Sequence, residues 1–384
     1  MFDSLIRFIR DQYSTDQVIP LHAPVFNGRE RELVLETIDS TVVSSVGSYV
    51  DSLEKNIAEY TGSPRAVAVM NGTAALHIAL KLAGVERGDL VVTQALTFVA
   101  TCNAISYCNA EPLFIDVDRH TLGLSPLALG AWLSEHAFID DDGHCRTLAG
   151  QKRIRACLPM HTFGHPVELD ELVAVCERWH LSLVEDAAES LGSFYKGSHT
   201  GIFGLVGTLS FNGNKVITAG GGGMLLTSVE IGERAKHLTT TAKVPHRYEF
   251  IHDAIGYNYR LPNLNAALGC AQLEQLGKFL ESKRLLASRY IEFFKGSDLL
   301  PIVEPEGCIS NYWLNGVICH DVAHRDALLK TTNDAGIMTR PIWKLMTHLS
   351  IYADSVRGDL SNAEWLESRV VNLPSSVLPG VATR

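Results

Sequence analysis

Ala66-Val-Ala-Val-Met-Asn-Gly-Thr-Ala-Ala-Leu-His-Ile-Ala-Leu-Lys-Leu-Ala83 changes its hydrophobic period part-way along. Ala66 to Met70 is an unbroken apolar run, short enough to be a strand buried on both faces. Asn71-Gly72 is a turn, and Thr73 to Ala83 continues with apolar residues at helical spacing. The strand–turn–helix unit then recurs. Leu90-Val-Val-Thr93 precedes a helical stretch around Phe98 to Tyr107, and Pro112 to Asp118 is a third strand. Arg155 to Pro159 leads into a helix over Glu168 to Trp179, and Leu181 to Asp186, Gly207 to Phe211 and Gly223 to Thr227 complete the set. Strands that alternate with single helices, without a two-faced pattern, predict an α/β fold on a mainly parallel sheet covered on both sides. Ligands on such sheets gather beyond the carboxyl ends of the strands, so polar residues there are the first candidates for chemistry.

After Gly269 the pattern changes. Residues 271–295 read as one long helical stretch, Pro301 to Val303 and Tyr312 to Cys319 as strands, Ala323 to Ala335 as a helix, and Ile337 to Pro341 as a strand. This is a smaller α+β unit, in keeping with a 384-residue chain that exceeds the usual single-domain size. The organisation expected is an N-terminal helix and arm (1–25), a large domain (26–265) and a small C-terminal domain (266–384). Residues 134–152, with Asp140-Asp-Asp-Gly143, read as a surface insertion. The N-terminus carries apolar residues at positions 2, 5, 6 and 9, a short amphipathic helix without the apolar core or cleavage site of a signal peptide. It suits a dimer or domain contact, with a membrane surface as the alternative.

Composition narrows the function classes. Apolar residues make up 46% and charged residues 20%, as in a folded, water-soluble protein. A net charge of -10 argues against nucleic acid as a partner, yet leaves room for a phosphorylated ligand in a locally positive pocket. No apolar stretch reaches the roughly 20 residues that cross a bilayer. The eight cysteines form no CxxC pair and no Cys/His ligand spacing, so buried thiols in a reducing cytoplasm are expected and a metal is not.

Three strand ends carry candidate chemistry. At Asn71-Gly-Thr-Ala-Ala75 a glycine permits close backbone approach, Thr73 offers a hydroxyl, and a helix start presents N–H groups to an anion; a plain capped helix start looks the same. Val184-Glu-Asp-Ala-Ala-Glu189 ends an apolar strand on Asp186, either an ordinary helix cap or a carboxylate set against a cationic ring nitrogen. Ser210-Phe-Asn-Gly-Asn-Lys215 follows a strand, with Gly220 to Gly223 close behind. A lone lysine is ordinarily a solvated charge, but four glycines in a row need a reason, such as a tight turn packed near a ligand. The run leads into a strand and not a helix, against a nicotinamide-dinucleotide fingerprint.

The order of these sites, a phosphate turn, a strand-end Asp and then a Ser/Lys pair, is that of fold-type I pyridoxal phosphate enzymes, the aspartate aminotransferase-like fold. From about Pro20 onward the chain resembles the DegT/DnrJ/StrS family of nucleotide-sugar aminotransferases. The resemblance rests on Asn71-Gly-Thr-Ala-Ala75, Thr97-Phe98, His161-Thr-Phe-Gly-His-Pro166, Glu185-Asp-Ala-Ala-Glu189, Ser210-Phe211 with Lys215, and Gly256-Tyr-Asn-Tyr-Arg260. Ser44-Ser-Val-Gly47, Phe211-Asn-Gly-Asn-Lys215 and Leu261-Pro-Asn-Leu-Asn265 look most like the subgroup of the legionaminic acid and bacillosamine pathways.

The resemblance implies pyridoxal 5'-phosphate as cofactor. Lys215 would hold it and shuttle a proton, Asp186 would pair with its pyridine nitrogen, and Phe98 would stack on the ring. Gly72, Thr73 and Ser210 would bind its phosphate, joined by Asn258 from a neighbouring subunit, so that the active unit is a homodimer with shared sites. Glu189 stands where the family commonly has glutamine, near the cofactor's 3′ oxygen, and a carboxylate there must be protonated or turned away. His161, Arg340, Trp343 and His348 would face the substrate, the arginine and indole suiting a diphosphate and a flat base. The implied reaction takes an amine from L-glutamate to a keto group, with C4 favoured over C3, of a nucleotide-linked 4-keto-6-deoxy sugar. No short motif chooses among UDP, GDP and dTDP. Relatives with histidine in place of the lysine dehydrate the sugar instead, and a non-catalytic regulatory homologue is a further alternative; Lys215 counts against the first, and Lys215 with Asp186 against the second.

Overall fold

The computed structural model describes residues 2–380; Met1 and residues 381–384, the ends of the first and last expected segments, lie outside it. The strand–helix alternation builds a seven-stranded sheet from β1 (Arg65–Val69), β2 (Leu90–Gln94), β3 (Glu111–Ile115), β4 (Ile154–Leu158), β5 (Ser182–Asp186), β6 (Val206–Ser210) and β7 (Gly223–Thr227). Their spatial order is β1-β7-β6-β5-β4-β2-β3. β7 is antiparallel to both neighbours and the other pairs are parallel. β1 through β6 therefore all end on one edge of the sheet.

Both faces are covered, which is why the strands read as continuous apolar runs. Alternate residues of β1 part company, as a two-residue period requires. Val67 and Val69 join Leu76, Ile78 and Ile105 under the helices Gly72–Leu82 and Val99–Tyr107. Ala66 and Ala68 face the other way, with Leu53 and Ile57 of the helix Ser48–Thr61. Asn71 caps the helix Gly72–Leu82, its Oδ1 accepting from Ala74 N at 2.8 Å. The glycine run finds its reason in the neighbouring backbone. A Cβ on Gly223 would lie 2.6 Å from the carbonyl carbon of Asn71 and 2.9 Å from Gly72 N. Glycine there lets β7 lie directly against the Asn71-Gly72 turn.

The helical stretch expected over 271–295 is instead two helices, Asn263–Glu274 and Leu276–Phe293, meeting at Gln275. The first begins straight after Pro262, and Gly277, a poor helix former, sits in the opening turn of the second. The helix Asn263–Glu274 straddles the expected boundary at 265/266, and its Ala266, Ala267 and Ala271 pack in one cluster with Leu33 and Leu53. Beyond it, β8 (Leu300–Pro301), β9 (Asn315–Ile318), β10 (Arg340–Pro341) and β11 (Val370–Leu373) form an antiparallel sheet in the order β8-β9-β11-β10. The insertion at 134–152 contains a hairpin, Ala137–Ile139 against Cys145–Thr147.

The N-terminal helix, Asp3–Tyr13, buries Leu5, Ile9 and Tyr13 against Leu286, Tyr290, Val317 and Val371. Its apolar stripe serves a contact inside the chain, not a membrane surface or a second subunit. Among the described residues no helix is long and apolar enough to cross a membrane. All eight cysteines are free, and Cys308 alone of them is not buried. Ile9 is 0% exposed, so Ile9→Ala is expected to lower the unfolding free energy by about 2–4 kcal/mol in urea titrations; a loss below about 0.5 kcal/mol would mean that this helix is not docked.

Candidate active site

The common strand edge opens on a cavity of about 390 Å³. Gly72, Thr73, Phe98, Asp186, Glu189, Ser210, Lys215 and Trp343, all singled out from the sequence, line it together. They come from the ends of β1, β2, β5 and β6 and from the segment after β10, so the parallel topology is what assembles them.

Asp186 and Glu185 are neighbours on β5 with opposite tasks. Glu185 is turned away from the cavity and accepts from Phe203 N at 2.7 Å and from Gly201 N and Gly204 N at 2.8 Å, tying down the chain before β6. Asp186, 3% exposed, faces the cavity. Its Oδ2 accepts from Thr101 Oγ1 at 2.7 Å and its Oδ1 from Ala188 N at 3.2 Å. Burial pushes this carboxyl above its usual range, although those two hydrogen bonds and the Lys215 charge pull the other way. A cation placed before it would relieve the desolvation.

Lys215 lies in the same cavity, its side chain 13% exposed, with Nζ 3.5 Å from Glu189 Oε1. Trp313 flanks it on another side. The indole face lies 4.1 Å from Nζ, and the indole N–H donates to Asn214 O at 2.6 Å, one residue before the lysine. Glu189 Oε2 accepts from Phe163 N at 3.0 Å. Burial pushes the Glu189 carboxyl up to about 7, against the pull of Lys215 and the Phe163 N–H, while the Asp186 charge adds to the rise. One Glu189 oxygen is therefore turned onto backbone, while the other faces Lys215.

A flat pyridine ring bearing a phosphate fits this lining. Phe98 is 49% exposed and is not packed into the core, leaving an aromatic face free to stack. The helix Gly72–Leu82 starts at the cavity and directs its first N–H groups there. A Cβ on Gly72 would come within 2.9 Å of Ser210 Cβ, so glycine allows turn and serine to form one cradle. Asp186 stands ready for a protonated ring nitrogen.

Four expected residues sit elsewhere. His161 is 0% exposed with both ring nitrogens engaged, Nε2 with Glu185 Oε2 at 3.1 Å and Nδ1 with Val167 N at 3.2 Å. It braces β5 and offers nothing to a substrate. Arg340 points outward and donates to Asn333 Oδ1 at 3.0 Å and Thr339 O at 2.9 Å. His348 is held 3.0 Å from Glu367 Oε2. Neither lines the cavity, because the small sheet and its own acceptors have already claimed both. Asn258 is exposed, its Oδ1 accepting from Arg260 Nε at 3.2 Å, and it too lies outside the cavity of its own chain. Trp313, Asn212 and Asn214 also line the cavity, and Thr101 braces Asp186. Asn212 and Asn214 lie inside the quoted lysine motif, and Thr101 is one helical turn after Thr97, so those three had a local signal; Trp313 had none.

This sheet and cavity define a fold-type I pyridoxal phosphate enzyme. The chain belongs to the DegT/DnrJ/EryC1/StrS aminotransferase family, whose model matches residues 25–379. EpsN of Bacillus subtilis (strain 168) is 39% identical over 336 residues, 85% of this chain and 81% of that protein. GDP-perosamine synthase of Escherichia coli O157:H7 is 34% identical over 359 residues, 93% of each. The aminotransferase TlmJ from Streptoalloteichus hindustanus superposes with a TM-score of 0.83 at 28% identity, covering 93% of each chain. Pyridoxal phosphate is the cofactor, and amine transfer is the class of reaction.

Glu189 gives a pH prediction for the cofactor-free protein. Its folded-state pKa lies above its unfolded value of 4.5, so its neutral form favours folding at low pH and that contribution fades as pH rises through about 7. Glu189→Gln is expected to leave stability near pH 4.5 unchanged and to raise it relative to wild type at pH 8. A rise from 4.5 to about 7 corresponds to about 3 kcal/mol. Chemical unfolding at both pH values checks it, and an equal difference at the two would refute the buried-acid assignment.

Proposed function

We propose that the enzyme transfers an amine from L-glutamate to the C4 keto group of a nucleotide-linked 4-keto-6-deoxy sugar, towards an amino sugar of a surface polysaccharide or glycan. The observation that carries this reading is that a lysine amine, Lys215, and a buried carboxylate, Asp186, line one cavity. A dehydratase on this scaffold would carry histidine at the lysine position. The nucleotide-sugar substrate is supported by relatives named GDP-perosamine synthase in Escherichia coli O157:H7 and Vibrio cholerae. GDP-linked sugars are thus the first to test, and legionaminic acid and bacillosamine precursors the second.

Asp186 would keep the ring nitrogen protonated, and pyridoxal phosphate when bound would supply an electron sink and a carrier for the amine. Lys215, which reaches into the cavity, would move the proton between the substrate carbon and the cofactor's C4′ in each half of the reaction. Gly72, Thr73 and Ser210 would hold the phosphate through N–H groups and hydroxyls, and Phe98 would stack on the ring. Glu189, in its neutral form, places a donor beside Lys215. Trp343, at 6.5 Å from the Phe98 ring, closes the substrate side.

The active unit is a homodimer in the cytoplasm. Asn258 serves the partner's cofactor phosphate, consistent with its lying outside its own cavity. The same stretch exposes Tyr248 at 76%, Phe250 at 80% and Ile255 at 85%, large apolar surfaces that a second subunit would cover.

Incubation of the pure enzyme with glutamate and GDP-, UDP- and dTDP-linked 4-keto-6-deoxy sugars tests the reaction. One 2-oxoglutarate should appear for each aminated sugar. A deoxygenated sugar without nitrogen, and no 2-oxoglutarate, would replace this reading by dehydration. Lys215→Ala should lose the yellow chromophore and lower turnover by at least about 10²–10⁴-fold.

A further inference from the structure

Lys283 lies fully inside the protein on the helix Leu276–Phe293, and the reaction makes no use of it. Its amine reaches Ser375 O at 2.6 Å, His22 Nε2 at 2.9 Å and Trp313 O at 3.1 Å. Burial pulls this amine down to about 7, and the three acceptors match the N–H bonds of its protonated form one for one. They belong to distant parts of the chain, the arm before the large sheet, the segment entering β9 and the segment leaving β11. Burial holds the His22 imidazole well below its ordinary value, with the Lys283 and Lys215 charges adding to the effect, so His22 is neutral and free to accept.

Trp313 is the link between the two lysines. Lys283 grips its carbonyl, while its side chain faces the Lys215 amine and binds Asn214. Asn311 Oδ1 accepts from Trp313 N at 2.8 Å, and Asn311 Nδ2 donates to Glu189 O at 2.8 Å, joining the same segment to the other wall of the cavity. Tyr312, between them, has φ of +47°, a left-handed conformation that bulky residues rarely adopt. A segment bent in this way keeps its shape only while its surroundings hold it.

We propose that Lys283 is a positioning residue for the reaction, fixing through Trp313 the place and the accessibility of the Lys215 amine. This rests on the reading of Lys215 as the catalytic amine. Replacement of a buried charge by an apolar chain of similar length need not destabilise a protein, so stability and turnover can be read separately.

In Lys283→Met, kcat should fall about tenfold while KM for the amino donor stays within about twofold. In the cofactor-free full-length chain, reductive methylation of Lys215, followed by peptide mass spectrometry, should run about threefold faster, because the wall that shields the amine has loosened. Trp313→Phe keeps a ring face but loses the N–H to Asn214, and should change both readouts in the same direction. The double variant should be no worse than the worse single one, since both act through one element. Lys283→Gln, which retains an N–H donor, should fall between wild type and Met and serves if Met does not fold. Unchanged Lys215 labelling, unchanged kcat, or losses that multiply in the double variant would overturn the proposal. Failure of the underlying reading would look different, as turnover by Lys215→Ala in an otherwise unaltered chain.

Discussion

Asp186 keeps a carboxylate 3% exposed at the end of a sheet strand, and the site is organised around making that tolerable. Removing an ionised carboxylate from water is costly unless hydrogen bonds and an opposite charge replace the solvent. Thr101 and Ala188 supply two hydrogen bonds, and Lys215 supplies positive charge from across the cavity. What remains is a demand for a cation in front of the carboxylate, which a protonated pyridine ring meets. The parallel sheet makes this possible, because six strands end on one edge and lay their loops around the same space.

The second acid of the site is handled differently. Glu189 has one backbone donor on one oxygen and Lys215 at 3.5 Å on the other, and burial outweighs both, so it titrates near neutrality where Asp186 is braced for charge. Two carboxyls three residues apart thus take separate roles through their surroundings alone. Lys215 stands between them with an indole at its side, and Trp313 is in turn gripped by Lys283 from behind. The N-terminal arm enters through His22, so residues far outside the sheet help to shape the lysine's surroundings.

The sheet was legible because both of its faces are buried, so that β1 to β5 show as apolar runs among helices, while β5, β6 and β7 follow one another with no helix between them. The strand-end residues were legible for a related reason. Gly72, Asp186 and Ser210 stand where a hydrophobic run stops, and Lys215 follows in the loop five residues beyond Ser210, where a parallel sheet must present its ligand. The division of residues 263–293 into two helices was missed because apolar spacing continues across Gln275. Arg340 and His348 were misplaced because sequence shows which segment nears a site but not which way a long side chain turns, and Asn333 and Glu367 hold them outward. Trp313 and Lys283 left no local mark at all. Their importance arises from contacts 99 and 30 residues apart along the chain.

The central claim is that Lys215, and no other lysine, holds the cofactor. Borohydride reduction of the yellow holoenzyme, followed by proteolysis and mass spectrometry, places the attachment directly. The account predicts the phosphopyridoxyl mass on the peptide containing Lys215. Its appearance on the peptide of Lys283 or Lys81, with Lys215 unmodified, would contradict it.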